Sequence, residues 1–166
     1  MPRPFSATYF KSFVFGVEDS LVSTVGLLSG VALAGVSSGT VILTGIVLIF
    51  VEAFSMAAGE FLSESETEEY QKQGEVSSNT SVISSIIMFF SYLVSGFIPL
   101  VPYLVIADAS VALYYSVGMS LGALCILGVI GAYISRTSYL RHALQMVLIG
   151  GAAIAVGIIA GQVVGV

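Results

Sequence analysis

The sequence predicts an all-α, polytopic membrane protein whose chain crosses the bilayer five times. Of its 166 residues, 57% are hydrophobic and only 9% are charged, and the mean hydropathy is +1.02. Soluble domains carry roughly 25% charged residues, so this is not the composition of a soluble globule. Five apolar stretches have about the 20-residue length that a transmembrane helix needs. They predict one transmembrane domain over residues 1–166, with helices at 13–34, 40–72, 81–97, 109–133 and 143–164.

Polar and helix-breaking residues separate the five stretches. Residues 35–39 form a Gly/Ser turn, residues 74–80 a small polar connector and residues 136–142 a short polar turn. Pro99 and Pro102 are expected to end the third helix, because proline lacks the backbone N–H that continues a helix. The second helix passes without a proline into the acidic sequence SESETEEYQKQGE, so we expect one helix that extends beyond the membrane.

The basic residues predict the orientation of the chain. Lys and Arg accumulate in cytoplasmic segments, and five spans place every one of them on the same side. They are Arg3, Lys11, Lys72, Arg136 and Arg141. We therefore expect a cytosolic N-terminus, an external C-terminus and a second helix that projects into the cytosol. The short chain without an N-terminal targeting pattern favours a prokaryotic plasma membrane.

Two acidic residues and a methionine lie inside the apolar helices, where charge is costly. Glu52 and Met56 are four residues apart in the second helix and share one face. Asp19 follows Lys11 by about eight residues, or roughly 12 Å along the first helix, which matches the depth of Glu52 if the two helices pack antiparallel. Intramembrane carboxylates usually face a bundle interior or a water-filled path, so these residues predict a path for a cation. Glu18 points about 100° away from Asp19, and we expect only one of the two to face this path.

The donor atoms indicate which ion would use the path. Carboxylate oxygens alone suit Mg²⁺, Ca²⁺ or Mn²⁺, and a thioether shifts the preference toward softer transition metals. Asp19, Glu52 and Met56 therefore predict a divalent ion such as Fe²⁺, with Mn²⁺ as the second candidate. No Lys or Arg lies in the apolar middle of a helix, so a proton or a metal is the remaining partner. The open alternative is that the acids are hydrogen-bonded packing groups and the methionine only fills space.

A row of glutamates continues along the second helix. Glu60, Glu64 and Glu68 recur every four residues and share one slowly drifting face. Like charges at this spacing destabilise an isolated helix, and either a bound cation or solvation relieves that conflict. We expect Glu60, at the membrane boundary, to bind the transported metal and Glu64 and Glu68 to form a cytosolic docking surface. A solvated acidic face is the alternative.

The sequence lacks the residues of several other functional classes. Cys125 is the only cysteine and His142 the only histidine, which argues against a Cys-rich metal site and against a catalytic triad with a spare base. We expect Cys125 to be a packing residue and His142 to be a surface or interface residue on a turn. No GxxxxGK[ST] sequence is present, and the basic residues form no patch for nucleic acid. The sequence thus predicts neither an enzyme, a cofactor nor a nucleic-acid partner.

Glycines at small-xxx-small spacing predict close helix packing, either within one chain or across a dimer. The pairs are Gly26/Gly30, Gly118/Gly122 and Gly157/Gly161.

Four stretches resemble the vacuolar iron transporter (VIT/CCC1) family. FGVEDSLVSTVGLLSGVALAG is similar to the first-helix signature, in which Asp-Gly-Leu leads into a Gly-rich helix, although Ser20 stands where Gly is usual. EAFSMAAGEFLSESE is similar to the second helix, with the Ser-Met-x-x-Gly-Glu core at Ser55, Met56, Gly59 and Glu60. GFIPLVPYL is similar to the Pro-containing end of the third helix, and IGGAAIAVGIIAGQVVG to the Gly-rich final helix. The resemblance covers nearly the whole chain.

The resemblance implies a five-helix homodimer that exports Fe²⁺ from the cytosol in exchange for protons. Its implied metal path uses Asp19, Glu52 and Met56, with Glu60 at the cytosolic mouth. Iron-transporting members insert a helical, Glu- and Met-rich metal-binding domain between the second and third helices, whereas here only residues 69–80 separate them. Nodulin-like members without that domain are a precedent for weaker or different metal selectivity. A non-transporting membrane metal sensor or scaffold, and a metal channel without proton coupling, are the alternative functions.

Overall fold

A computed structural model describes residues 4–74 and 79–164 and contains five α-helices in these ranges. All five helices are long and apolar enough to cross a membrane, and the described residues form no strand. The predicted all-α class with five membrane-spanning helices is therefore confirmed. The helices are α1 (Pro4–Leu33), α2 (Ser38–Lys72), α3 (Asn79–Val105), α4 (Ala109–Ser135) and α5 (Tyr139–Val164).

Polar caps and left-handed residues set several helix ends. Side-chain oxygens of Ser37 and Asp108 accept hydrogen bonds of 3.3 and 2.8 Å from amides in the first turns of α2 and α4. Gln73 and Arg136 adopt left-handed backbone angles, with φ of 52° and 53°, just after α2 and α4. These ends hold the connections short, so each helix packs against its neighbours in the chain.

The third helix does not end before its prolines, and that prediction was wrong. α3 continues through Pro99 and Pro102 to Val105. The carbonyl oxygen of Pro99 accepts a 2.7 Å hydrogen bond from Ser116 Oγ of α4. This bond joins the proline-containing turn to α4, and membrane helices tolerate proline where neighbouring helices pack against the interrupted turn.

Two helices begin earlier than the sequence analysis placed them. α1 begins at Pro4 rather than at Phe13, and α5 begins at Tyr139 rather than at Ala143. Hydropathy marks only the part of a helix that must lie in lipid. The polar turns that precede these apolar stretches can continue the same helix outside the membrane.

α1 packs between α3 and α5, with α2 against α3 and α4 against α5. α3 approaches α1 and α2 closely at Gly96, where a Cβ atom would lie 2.8 Å from Ile49 and 2.9 Å from Ser20 Oγ. The buried apolar cluster consists of Leu28, Val41, Ile49, Leu100, Tyr103, Ala112 and Leu113.

The glycines of α1 and α5 meet face to face within one chain. A Cβ atom on Gly157 would collide with the carbonyl oxygen of Gly26, and one on Gly161 with that of Gly30. The close packing predicted for these pairs therefore joins the first and last helices of the same subunit.

Candidate functional site

α1 and α2 run antiparallel, as two contacts between them show. Towards the start of α1, Ser12 Oγ donates a 2.6 Å hydrogen bond to Oε1 of Glu60. Further along α1, more than two helical turns beyond Asp19, Leu28 packs against Gly45 of α2. The middle of α1 therefore lies level with the stretch of α2 around residues 52–56.

Asp19 of α1 and Glu52 of α2 both lie at this level. Both side chains are half-buried, and they are near enough to interact electrostatically. Met56 is also half-buried and lies one turn further along the same face of α2. Two carboxylates and a thioether from two helices thus lie at a similar depth in the bundle.

α3 adds a buried hydroxyl that the sequence analysis did not single out. Tyr92 is fully buried, and its hydroxyl oxygen lies 2.7 Å from Ser23 Oγ of α1. Its backbone carbonyl accepts a 2.7 Å hydrogen bond from Ser20 Oγ, which fixes α3 against α1 beside Asp19. The Tyr92 hydroxyl is within coulombic range of both Asp19 and Glu52. A tyrosine in an apolar helix carries no sequence signal for this position, because only the packing of α3 against α1 reveals it.

Glu18 and Asp19 line the same cavity, although the sequence analysis expected only one of them to face a path. The cavity has a volume of about 130 Å³, and Phe15, Val22 and Ile149 complete its lining. Because it extends around α1 toward α5, side chains that leave the helix in different directions both reach it. Glu18 therefore joins the set of acidic residues near the candidate site.

Glu60 occupies a separate position, closer to the acidic end of α2. Its side chain is 8% exposed and accepts the hydrogen bond from Ser12. Eight residues along a helix correspond to about 12 Å, so Glu60 lies roughly that far from Glu52. The structure does not bring Glu60 into one cluster with Asp19.

Glu64 and Glu68 continue the glutamate row along the less exposed side of α2. Both are half-buried, whereas Glu66 and Glu69 are exposed. Glu68 also forms an ion pair with Lys72, with a distance of 3.3 Å between Oε2 and Nζ. This i,i+4 pair offsets part of the like-charge repulsion along the row, and it is a partner that the sequence analysis did not consider.

Within residues 4–74 and 79–164, no three His, Cys, Asp or Glu side chains are grouped so that they could hold a metal ion. The Asp19–Glu52 pair is instead flanked by groups of other kinds, the Met56 thioether and the Tyr92 hydroxyl. Few and mixed donors suit a transport site, because an ion must bind and also leave.

The fold and this site define a class of protein: a polytopic helical membrane protein with paired carboxylates between its first two helices. The model of the VIT family matches residues 10–79 and 72–162 of the chain. The chain belongs to the VIT family, as its motifs predicted.

Two relatives illustrate this membership. Vacuolar iron transporter cccA of Arthroderma benhamiae is 33% identical over 92 residues, which cover 51% of this chain and 33% of the fungal protein. Vacuolar iron transporter homolog 5 of Oryza sativa subsp. japonica is 26% identical over 163 residues, which cover 90% of this chain and 77% of the rice protein. The match thus spans about a third of the length of the fungal relative and most of the rice relative.

Proposed function

We propose that this protein moves a divalent transition metal, Fe²⁺ first and Mn²⁺ second, out of the cytosol in exchange for protons. The pair of Asp19 and Glu52 carries this proposal, since two neighbouring carboxylates among apolar helices need a cation or protons as partners. The names of both relatives support iron as the cargo. Met56 supplies the softer donor that favours Fe²⁺ over a purely oxygen-binding ion.

The arrangement of the acidic residues suggests an order of steps. A metal ion attracted to Glu64 and Glu68 reaches Glu60, then moves inward to the carboxylates of Asp19 and Glu52. A carboxylate must be deprotonated to bind a metal ion. Protons that reach these two carboxylates from the external side therefore release the metal outward, and the same carboxylates carry the protons back.

The proposed direction of transport rests on the orientation of the helices. The α1–α2 and α3–α4 turns lie at the same end, since Ser38 Oγ donates a 2.9 Å hydrogen bond to the carbonyl oxygen of Ala107. Lys72, Arg136 and Arg141 lie at the opposite ends of the helices, and we assign that end to the cytosol. Arg3, which contributes to the same prediction, lies outside the described residues.

The host membrane is a separate proposal. Both relatives are named for vacuolar transport, so they lend no support to the prokaryotic plasma membrane that the sequence analysis favoured. Membrane fractionation of the native host, followed by detection of the chain, would decide between a cell membrane and an organelle membrane.

We also propose that the working unit is a homodimer whose subunits meet along α1. An open apolar groove of about 610 Å³ runs along α1 and α5, and its lining includes Gly26, Leu27 and Val31. Val22 lines both this groove and the cavity that holds Asp19. A second copy seated in the groove would enclose the metal path between the subunits.

The transport proposal is tested by metal flux into sealed proteoliposomes that contain a metal indicator. Wild-type protein should carry Fe²⁺ only when a pH gradient is imposed, and Glu52→Gln or Asp19→Asn should reduce flux to that of protein-free vesicles. Glu69→Gln is the matched control, since this exposed glutamate lies on the outer side of α2. Met56→Leu, which nearly conserves volume, should lower the ratio of Fe²⁺ to Mn²⁺ flux.

Other outcomes of this assay favour the alternative functions. Flux that depends on Glu52 but not on the pH gradient indicates a metal channel. Folded protein that carries neither ion indicates a sensor or scaffold, in which the acidic end of α2 would recruit a soluble partner.

A further inference from the structure

A second cavity lies between α1, α4 and α5, beside the one that holds Asp19. It has a volume of about 300 Å³, and its lining includes Glu18, His142 and Met146. These side chains are all half-buried. Carboxylate, imidazole and thioether are three donors that together suit divalent first-row transition metals.

His142 and Met146, the two residues from α5, both line this cavity. His142 and Met146 are four residues apart, so they share one face of α5. The only histidine of the chain was expected to sit on a turn, but it lies in the first turn of α5, which begins at Tyr139. Its backbone is held against α4, because a Cβ atom on Gly128 would lie 2.9 Å from the His142 carbonyl oxygen.

The cavity extends from the end of the bundle that carries the α4–α5 turn toward the level of Asp19. α1 and α5 run parallel, since Gly26 lies against Ala153 and Gly30 against Gly157. Following both helices back from these contacts puts Met146 level with the turn of α1 that carries Glu18 and Asp19. His142 lies one turn nearer the helix starts.

Glu18 connects this cavity with the candidate transport site. It lines the cavity of His142 and also the smaller cavity that it shares with Asp19, and Phe15 likewise borders both. A cation bound to Glu18 could therefore pass to Asp19 without crossing a stretch lined only by apolar groups.

We propose that Glu18, His142 and Met146 form a second binding site for a divalent transition metal, from which the ion passes to Asp19. This site lies within one subunit and approaches Asp19 from the α5 side, whereas Glu60 lies on α2. Its role in loading the transport site rests on the proposed function, but metal binding to these three side chains does not.

Lys11 keeps this site weak. Its side chain is exposed and lines the same cavity, so its ammonium group raises the cost of bringing in a second positive charge. Weak binding is useful at a site that must pass its ion onward. Lys11→Leu, which removes the charge without adding a donor atom, should therefore tighten metal binding, in the opposite direction to the loss of any of the three ligands.

The single histidine makes the test specific. Mn²⁺ is bound to purified full-length protein that carries no histidine tag, and pulsed electron paramagnetic resonance is used to detect coupling of the metal to an imidazole ¹⁴N. Wild-type protein should show this coupling, and His142→Gln should abolish it. Glu18→Gln should weaken Mn²⁺ binding at this site about tenfold or more, while Met119→Leu, at an exposed methionine on α4, should not. Met146→Leu should weaken Fe²⁺ binding more than Mn²⁺ binding, because the thioether is the softer donor.

The results separate this site from the transport function. Imidazole coupling that persists in Asp19→Asn, a variant expected to lose flux, establishes the site whether or not the protein transports metal. If the site also loads the path, His142→Gln should raise the Fe²⁺ concentration for half-maximal flux by about tenfold, with maximal flux retained. Mn²⁺ that binds wild-type protein without imidazole coupling, or no binding of Mn²⁺, overturns the proposal.

Discussion

Ser12 of α1 links to Glu60 of α2 through a single hydroxyl proton. Its Oγ lies 2.6 Å from Oε1 of Glu60 and 2.9 Å from the carbonyl oxygen of Thr8. A serine hydroxyl can donate to only one of them at a time. In the proposed transport cycle, the Ser12 hydroxyl stabilises the charged Glu60 carboxylate while no ion is bound there. A cation at Glu60 takes over that role and frees the hydroxyl to donate to Thr8 of its own helix, so the α1–α2 hydrogen bond holds only while Glu60 is without an ion.

Removal of this hydroxyl should destabilise the metal-free protein. Ser12→Ala leaves a buried carboxylate without its donor, and a hydrogen bond to a charged group contributes about 1.5–3 kcal/mol. We expect the midpoint of thermal unfolding in lipid nanodiscs to be lower for Ser12→Ala than for wild-type protein. Added Mn²⁺ should then raise the midpoint of the variant more than that of wild-type protein. Ser85→Ala is the control, since Ser85 Oγ donates to the Val82 carbonyl within its own helix. Equal shifts of the unfolding midpoint for Ser12→Ala and Ser85→Ala would contradict a stabilising hydrogen bond from Ser12 to Glu60.

The acids of α1 and α2 could be predicted from sequence because charge in an apolar run is conspicuous. The prediction that Asp19 and Glu52 lie at a similar depth needed only their positions in the sequence and the antiparallel order of two helices. Tyr92 could not be identified in this way, since its significance depends on hydrogen bonds to α1 rather than on its type. For a related reason the sequence analysis did not anticipate that Glu18 and Asp19 line one cavity: helical periodicity gives the direction of a side chain from its own helix, but not the shape of the cavity beside it.

At the scale of helices, α1 and α5 are held together by backbone-to-backbone proximity rather than by large side chains. Any side chain at Gly157 must displace the backbone at Gly26. The Gly118/Gly122 pair has the same spacing on α4, yet a Cβ atom on either would meet no described atom within 4 Å. Identical sequence patterns thus have different surroundings, which is why the pattern alone left open whether each pair packs within a chain or between chains.

This contrast predicts unequal effects of one substitution at two glycines. Gly157→Val should separate α1 from α5 and lower the stability of the subunit by about 1–3 kcal/mol or more, as overpacking does. Gly118→Val should leave the stability of the subunit nearly unchanged. Thermal unfolding in detergent checks both, under conditions where the wild-type protein is monomeric. A larger loss at Gly118 than at Gly157 would show that the α1–α5 contact does not stabilise the subunit.

The prolines of α3 show a limit that sequence analysis meets at this scale. Pro99 and Pro102 are helix breakers by their covalent structure, yet both lie inside a helix. Around Pro99 the helix packs against α4, where the Ser116 hydroxyl donates to the Pro99 carbonyl oxygen, a contact that the third stretch alone cannot predict. The prediction of five helices survives this error because the helix count depends on apolar length and not on where each helix ends.

At the scale of the whole molecule, an odd number of spans places the two termini on opposite sides of the membrane. The turns joined by Ser38 and Ala107 then form one surface, and the acidic end of α2 and the α4–α5 turn form the other. The glutamates of the acidic end of α2, and His142 in the first turn of α5, lie nearer the second surface than the first. The direction of the proposed metal transport therefore follows from which of the two surfaces meets the cytosol.

Site-directed labelling can determine that orientation. In a Cys125→Ser background, Ala107→Cys and Ser138→Cys each place one exposed thiol, on the first and second surface respectively. In intact cells we expect a membrane-impermeant maleimide to label Ala107→Cys at once and Ser138→Cys only after permeabilisation. The reverse pattern would put the acidic surface outside, and the same carboxylates would then collect metal for import. Labelling of both thiols in intact cells would mean that the chain inserts in two orientations, and the basic residues would not determine its topology.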